Sequence, residues 1–244
     1  MQRVILRAVM VGVVAGLIVG VFHNIFTVPV IERAIALEEE RAAVVVTAVA
    51  SEEEETPLVS LGAQRVGLAI GMGILGVVFG LVFAGAYGLL RLALPDSAPI
   101  AQAIIAGLLG FWALSFLVSL KFPFVPPGVG SEDTLFFRQG FHLLFYALSA
   151  LGVAGVILAV NEIHGSVYSE AMHLRLYALT GILYGAFLLA IFWIIPGNPD
   201  PVEVPAELLL EFNHVSLVGH LLTWGLMAMG FAYLLRQDLS SNNG

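Results

Sequence analysis

The chain of 244 residues is 59% hydrophobic and 11% charged, with a mean hydropathy of +0.95 and a formal net charge of -8. Soluble globular domains carry about 25% charged residues, so this composition excludes that class and indicates a membrane protein. The absence of cysteine excludes disulfides and cysteine-ligated metal sites.

Six long uncharged intervals separate the ionised residues and hold 24, 25, 24, 23, 24 and 24 residues. A helix needs about 20 apolar residues to cross a hydrocarbon core of about 30 Å, so each interval matches one span. The runs are continuously apolar, whereas barrel strands alternate apolar and polar residues. We therefore predict an all-α polytopic membrane protein, a six-helix transmembrane bundle that forms one domain over residues 1–244. Its spans, numbered one to six, are residues 8–31, 66–90, 97–120, 139–161, 176–195 and 212–235.

The chain begins with basic residues followed by the apolar run of span one, an arrangement that signal peptides also have. We expect an uncleaved span, because the apolar run is long and no small-residue cleavage site follows it. Gly12, Gly16 and Gly20 repeat at four-residue spacing in span one, as Gly76 and Gly80 do in span two. Glycines at this spacing let helix backbones approach closely, so we expect a compact bundle.

The connection after span one, residues 32–65, is rich in glutamate. Its helical sequence contains an apolar patch at residues 42–50, too short to span, which we expect at the membrane interface or over the end of the bundle. Six spans place the connections after spans one, three and five on one side, and fourteen of the eighteen acidic residues fall there. This acidic side raises the local concentration of cations, although the run at residues 52–55 is also typical of a solvated loop.

The orientation of the chain depends on few residues. Arginine and lysine divide equally between the two sides, five and five. Only Arg3 and Arg7, clustered before span one, favour placing both termini inside. We therefore predict an integral protein of the cytoplasmic membrane with its acidic side outward.

Four of the six histidines fall in the half of the membrane toward the acidic side. Ionisable groups inside a membrane mark a pathway or a site, and imidazole without thiolate suits Co, Ni or Zn. The predicted metal residues are His23, His142, His214 and His220. Two alternatives stay open: each histidine only hydrogen-bonds a neighbouring helix, or two of them are axial ligands of a haem.

Two of these histidines occur in a common pattern. Aligning His142 with His220 makes HLLFYALSALGVA and HLLTWGLMAMGFA coincide at seven of thirteen positions. The match predicts that spans three and four repeat in parallel as spans five and six, about a near-two-fold axis along the membrane normal. Both histidines would then lie at one depth and face a common interior. A coincidence of common apolar residues is the alternative.

Three blocks of sequence, which include helix ends and the connections on the acidic side, are distinctive. They are FHNIFTVPVIERAIALEEE at residues 22–40, LKFPFVPPGVGSEDTLFFRQ at 120–139, and PVEVPAELLLEFNHVSLVGHLLTWGLMAMG at 201–230. The second contains K-x-P-x-x-P-P-x-V-G-x-x-x-T, whose prolines force extended backbone and fix how spans three and four meet. Together the blocks resemble the CbtA family of predicted cobalt transporter subunits. The resemblance implies Co²⁺ as the transported ion and a small single-span partner with a histidine-rich terminus.

Motifs of catalysis and nucleotide binding are absent from the sequence. The chain's only lysine, Lys121, has no P-loop context, and neither G-x-S-x-G nor H-E-x-x-H occurs. We predict no enzyme, no tightly bound cofactor and no nucleic-acid partner, and expect the lipid bilayer and a divalent cation as the other partners. The predicted function is a membrane subunit of a divalent metal (cobalt) uptake transporter. The alternative is a non-transporting subunit that anchors or organises a larger complex, or one that binds haem.

Overall fold

The computed structural model describes residues 1–46, 60–126, 131–202 and 204–241, and the regular structure in these residues is helical. The α-helices are α1 Gln2–Phe26, α2 Val28–Val46, α3 Leu61–Ala93, α4 Pro99–Phe111, α5 Leu117–Lys121, α6 Leu135–His164, α7 Glu170–Ile194 and α8 Ala206–Ser241. A π-helical segment, Trp112–Phe116, joins α4 to α5, and a 3₁₀ turn, Glu132–Thr134, precedes α6.

Six helices are long and apolar enough to cross a membrane, which confirms the all-α class and the six-helix prediction. They are α1, α3, the continuous run from α4 to α5, α6, α7 and α8. Span one ends at Phe26 rather than at residue 31, because the chain turns at Thr27 and α2 begins at Val28. Helix α2 tolerates Pro29 in its first turn, because a backbone amide at that position would have no acceptor within the helix. The division into a single domain stays a prediction.

Glycines bring α1 and α3 into backbone contact. A Cβ atom added to Gly12 would lie 2.2 Å from the carbonyl oxygen of Gly76, and one added to Gly16 would lie 2.1 Å from that of Met72. No side chain fits at these distances. The four-residue glycine spacing therefore acts as predicted, by letting two helices pack without intervening side chains.

Helix α8 forms the centre of the bundle, where it packs against α1 and α4. Its Trp224 and Phe231 are almost completely buried, and Phe231 meets Phe83 and Tyr87 of α3 in edge-to-face contacts. Helix α7 lies at the edge of the bundle against α6, and Ile191 is the buried residue of this fully described helix.

The two helix pairs of the predicted repeat pack differently. Span three contacts span four through the π-helical segment and α5, whereas spans five and six share little contact. The reason is that α8 packs into the centre with α1 and α4, which leaves α7 supported by α6. The parallel two-helix repeat stays a prediction.

Helix α2 lies against the acidic-side end of span six. Val30 of α2 forms a buried cluster with Leu208 and Phe212 of α8, and Phe124 packs against it. Three predictions concern residues that lie outside the described ranges: the glutamate run at 52–55, the end of the apolar patch at 47–50, and the proline-glycine turn at 127–130.

Candidate functional site

The chain leaves the helical conformation at residues 122–126, directly after α5. Pro123 and Pro126 cannot donate a backbone hydrogen bond, and each disfavours a helical residue before it. We call residues 122–124 the Phe-Pro-Phe segment. Asn213 of α8 pairs with both backbone groups of Phe124: the amide hydrogen of Phe124 is donated to Oδ1 (2.8 Å), and Nδ2 donates to the carbonyl oxygen of Phe124 (2.7 Å). Span six therefore holds this segment in place.

The Phe-Pro-Phe segment carries one aromatic ring for each of the two aligned histidines. The His142 ring stacks on Phe122, with ring centroids 5.0 Å apart, and the His220 ring stacks on Phe124 at 5.1 Å. The His142 ring also stacks on Tyr146, with ring centroids 4.9 Å apart. The structure thus brings the histidines of spans four and six to one short segment between them.

The π-helical segment of span three positions His220. Nδ1 of His220 shares a hydrogen bond of 3.0 Å with the hydroxyl of Ser115, which also accepts a hydrogen bond of 3.0 Å from Nε1 of Trp224. Ser115 is completely buried. π-helical turns are frequent at functional sites. Nδ1 of His220 is therefore occupied by this hydrogen bond, so Nε2 is the ring nitrogen through which His220 could bind a ligand.

His23 lies beside the turn of α8 that carries His220. Its Nδ1 shares a hydrogen bond of 2.7 Å with the hydroxyl of Thr27. Its ring occupies the space of the missing side chain at Gly219, where an added Cβ would lie 2.5 Å from Cε1 and 2.7 Å from Nε2 of His23. His23 therefore contacts the residue that precedes His220, and the Phe-Pro-Phe segment connects His142 to His220. We call His23, His142 and His220 the histidine mouth.

A cavity of about 630 Å³ opens beside the histidine mouth. His142 lines this cavity, and its unprotonated ring nitrogen could bind a ligand there. Other polar and aromatic lining residues are Phe122, Phe124, Arg138, Gln139 and Asn198.

The fourth predicted metal residue, His214, is exposed and lies apart from the histidine mouth. It precedes His220 by six residues, which rotates it about 240° around the helix. Among the described residues no group of three or more histidine, aspartate or glutamate side chains is placed to hold one metal ion. The structure brings three of the four histidines near one another, and their role as metal ligands stays a proposal.

A polar network fastens the connections on the acidic side. Asp200, after span five, forms an ion pair of 3.1 Å with Arg138, and its carboxylate accepts hydrogen bonds from the hydroxyl of Thr134 (2.6 Å) and the amide of Ser131 (3.0 Å). The hydrogen bond from Thr134 is the largest cause that lowers the pKa of Asp200, followed by the Ser131 amide and the charge of Arg138. This network joins the connection after span three to the connection after span five.

The sequence did not predict three side chains that hold this region together. Ser115 was missed because the segment WALSF is apolar and does not differ in composition from an ordinary span. Asn213 and Asp200 had weak signals: a lone asparagine just before a histidine in span six, and an aspartate in the proline-rich elbow NPDP. Neither signal indicates which backbone or side chain it meets.

Comparison with known proteins assigns a family. The model of one family, described as "Probable cobalt transporter subunit (CbtA)", matches residues 1–236. No curated protein and no solved structure matches the chain. Because the match covers nearly the whole chain and all six membrane-spanning helices, the protein belongs to the CbtA family, the membrane subunits of cobalt transporters.

Proposed function

We propose that this subunit admits Co²⁺ from its acidic side through the histidine mouth. The observation that carries the proposal is the stacking of His142 and His220 on one segment, next to a cavity that His142 lines. Imidazole suits Co²⁺, a divalent cation of intermediate softness. The family description supports cobalt as the cargo.

The histidine mouth suits an ion that is bound transiently and then released along the transport path. His23, His142 and His220 come from three separate helices, so small movements of α1, α6 and α8 change how many imidazoles reach the ion at once. Conduction requires binding that is favourable on arrival and weak enough for release. Few protein ligands, supplemented by retained water, meet both requirements.

We assign His214 and the surrounding carboxylates to the collection of ions. His214 is exposed on α8 one turn from Glu211. Glu211 and Glu207 line a surface groove with Glu40 and Arg33 of α2, and Arg33 pairs with Glu211. The carboxylates concentrate cations near the bundle, and an exposed imidazole offers a first inner ligand.

Orientation, partner and reaction class complete the proposal. The protein lies in the cytoplasmic membrane, with both termini on the cytoplasmic side. The cluster of Arg3 and Arg7 before span one supports this orientation. The partner is a small single-span subunit with a histidine-rich terminus, supported by the resemblance and by the family's description as a subunit. The chain transports and does not catalyse a reaction. The family match gives no support to an anchoring or haem-binding role.

Radioactive Co²⁺ uptake by membrane vesicles that contain the chain with its partners tests the proposal. His220→Ala and His142→Ala should lower the initial rate of uptake at low Co²⁺ about tenfold or more, because each removes a metal ligand. Loss of a residue that only supports a ligand already lowers metal affinity roughly 10- to 100-fold. His23→Ala should act in the same direction, and His214→Ala should reduce the rate less than the other three.

The matched control is His173→Ala. His173 lies at the opposite side of the membrane, where its Nε2 bonds the Ser166 hydroxyl at 2.9 Å, and its loss should leave uptake unchanged. If all five variants take up Co²⁺ like the unaltered chain while present at equal levels, the histidine mouth has no role in transport.

A further inference from the structure

Lys121, the last residue of α5 and the only lysine in the chain, binds the backbone of another span. Its Nζ donates a hydrogen bond of 2.8 Å to the carbonyl oxygen of Phe192, near the end of α7. Charged side chains within membrane spans usually pair with one another or with backbone carbonyls. The ammonium group of span three therefore connects that span to the C-terminal end of span five.

The carbonyl of Phe192 is open to this bond because a proline follows it by four residues. In a continuing helix the carbonyl would accept a hydrogen bond from the amide of residue 196, but Pro196 has no amide hydrogen. Proline also disfavours a helical residue before it, and Ile195 is extended, with a ψ of 123°. The C-terminal end of a helix carries partial negative charge, which favours a cation such as the Lys121 ammonium.

The end of α7 that Lys121 binds is also its buried end. Helix α7 lies at the edge of the bundle against α6, and most of its length is exposed. Ile191 and Ile195 are buried, and both belong to one cluster with Phe122 and Phe145. The packing of span five against spans three and four is therefore concentrated beside the bond from Lys121.

Phe122 connects this end of α7 to the histidine mouth. It follows Lys121 directly in the chain and is buried in the same cluster as Ile191. Its ring meets the Phe145 ring edge-to-face, with centroids 5.8 Å apart, and stacks on the His142 ring at 5.0 Å. A change in how residue 121 is held against α7 would therefore move the ring on which His142 stacks.

We propose that Lys121 is a positioning residue for Co²⁺ binding at the histidine mouth. By binding the end of α7 it holds Phe122 in place, and through Phe122 it holds the ring of His142. This inference rests on the proposed function and adds a residue that acts without touching the ion. Residues that orient a metal ligand from outside the coordination shell contribute to the affinity for the metal. Span five, which carries none of the three histidines, thereby acts on the site.

Co²⁺ uptake by vesicles that contain the chain with its partners tests this role. Lys121→Met keeps most of the apolar stem and removes the ammonium group. It should raise half-saturating Co²⁺ severalfold with little change in the maximal rate, because it displaces a ligand and removes none. The matched control is Tyr184→Phe, which removes another hydrogen bond between spans three and five, the one of 2.9 Å from Nε1 of Trp112. Half-saturating Co²⁺ should be unchanged in this control.

A purely structural role of Lys121 gives a different result. It predicts a lower melting temperature in detergent with an unchanged half-saturating concentration, or an equal rise of that concentration in Lys121→Met and Tyr184→Phe. Either result would overturn the positioning role.

Double variants show whether Lys121 acts through His142. Lys121→Met should raise half-saturating Co²⁺ no further in a His142→Ala chain, where the ring that it positions is absent, and should raise it further in a His220→Ala chain. An equal further rise in both chains would overturn the positioning role and keep the histidine mouth. Ordinary uptake by both His142→Ala and His220→Ala would refute the proposed function itself.

Discussion

At the scale of single residues, the histidine mouth depends on the absence of a side chain at Gly219 as well as on the groups that hold the histidine rings. The His23 ring occupies space that any side chain at position 219 would take. His220 depends on one buried hydroxyl, Ser115, to fix its ring, and that hydroxyl is itself fixed by Trp224. Small changes at these positions should therefore move imidazoles without unfolding the chain.

Gly219→Ala tests this dependence. The new methyl would lie 2.5 Å from the His23 ring, and a ring at the end of a side chain can swing away at small cost. We expect little change in thermal stability, and a rise in half-saturating Co²⁺ similar to that of His23→Ala. The double variant should be no worse than either single variant, since both remove the same contact. Unchanged Co²⁺ uptake by Gly219→Ala would show that the position of His23 does not matter.

At the scale of elements, the sequence predicts the helices well and their interruptions poorly. Uncharged intervals of 23 to 25 residues fix the number and type of spans, because a helix that satisfies its own backbone is required in lipid. The turn at Thr27 and the π-helical segment Trp112–Phe116 have no comparable signal. Both arise from tertiary packing, which composition and periodicity do not contain.

The same limit applies to the candidate site. Depth along each span could be predicted by counting residues from its charged ends, and three histidines do lie near one another. Rotation about the helix axis decides which side chains meet, and it distinguishes His220 from His214 on a single helix. The contact of each aligned histidine with the Phe-Pro-Phe segment depends on how α6 and α8 pack around it.

Close packing of α1 on α3 gives a prediction about stability. A Cβ added at Gly76 would lie 2.1 Å from the carbonyl oxygen of Gly12, and backbone cannot move aside as a side chain can. Gly76→Ala should therefore separate the two helices and lower the free energy of unfolding by about 1–3 kcal/mol, the usual cost of overpacking. Thermal unfolding in mild detergent measures this change.

Gly67 of the same helix provides the control. An added Cβ there meets nothing within 4 Å, so Gly67→Ala should be neutral or stabilise by up to about 1 kcal/mol through helix propensity. If Gly76→Ala and Gly67→Ala unfold at the same temperature, the backbone contact between α1 and α3 does not contribute to stability.

At the scale of the whole molecule, the two sides of the bundle are built differently. On the acidic side, α2, the Phe-Pro-Phe segment and the fastened connections surround the histidine mouth. Below the mouth the interior is filled by apolar side chains of α3, α6 and α8. The structure is therefore polar and accessible toward one side and closed toward the other, as expected of a transporter that opens its sides in turn.

The acidic-side network makes the stability of the whole molecule depend on pH. The side chain of Asp200 is 7% exposed, and its hydrogen bond from Thr134 together with the charge of Arg138 holds its pKa below the ordinary value. A lowered pKa in the folded state means that the contribution of Asp200 is complete above the unfolded value of about 4 and is lost as the pH falls through the folded value. Asp200→Asn should therefore lower the melting temperature at neutral pH. The difference from the unaltered chain should vanish at a pH well below about 4, where Asp200 is protonated in both states.

Melting temperatures of both chains in detergent, measured from neutral pH down to about pH 2.5, decide this prediction because the range extends below the ordinary pKa. Asp96→Asn is the control: Asp96 is 90% exposed beside His164, so its loss should leave the melting temperature almost unchanged. A difference between Asp200→Asn and the unaltered chain that stays constant over the whole range would mean that the charge of Asp200 does not fasten the connections. A difference that closes on acidification assigns the fastening of spans three, four and five to one ionised carboxylate, because the neutral amide retains its shape.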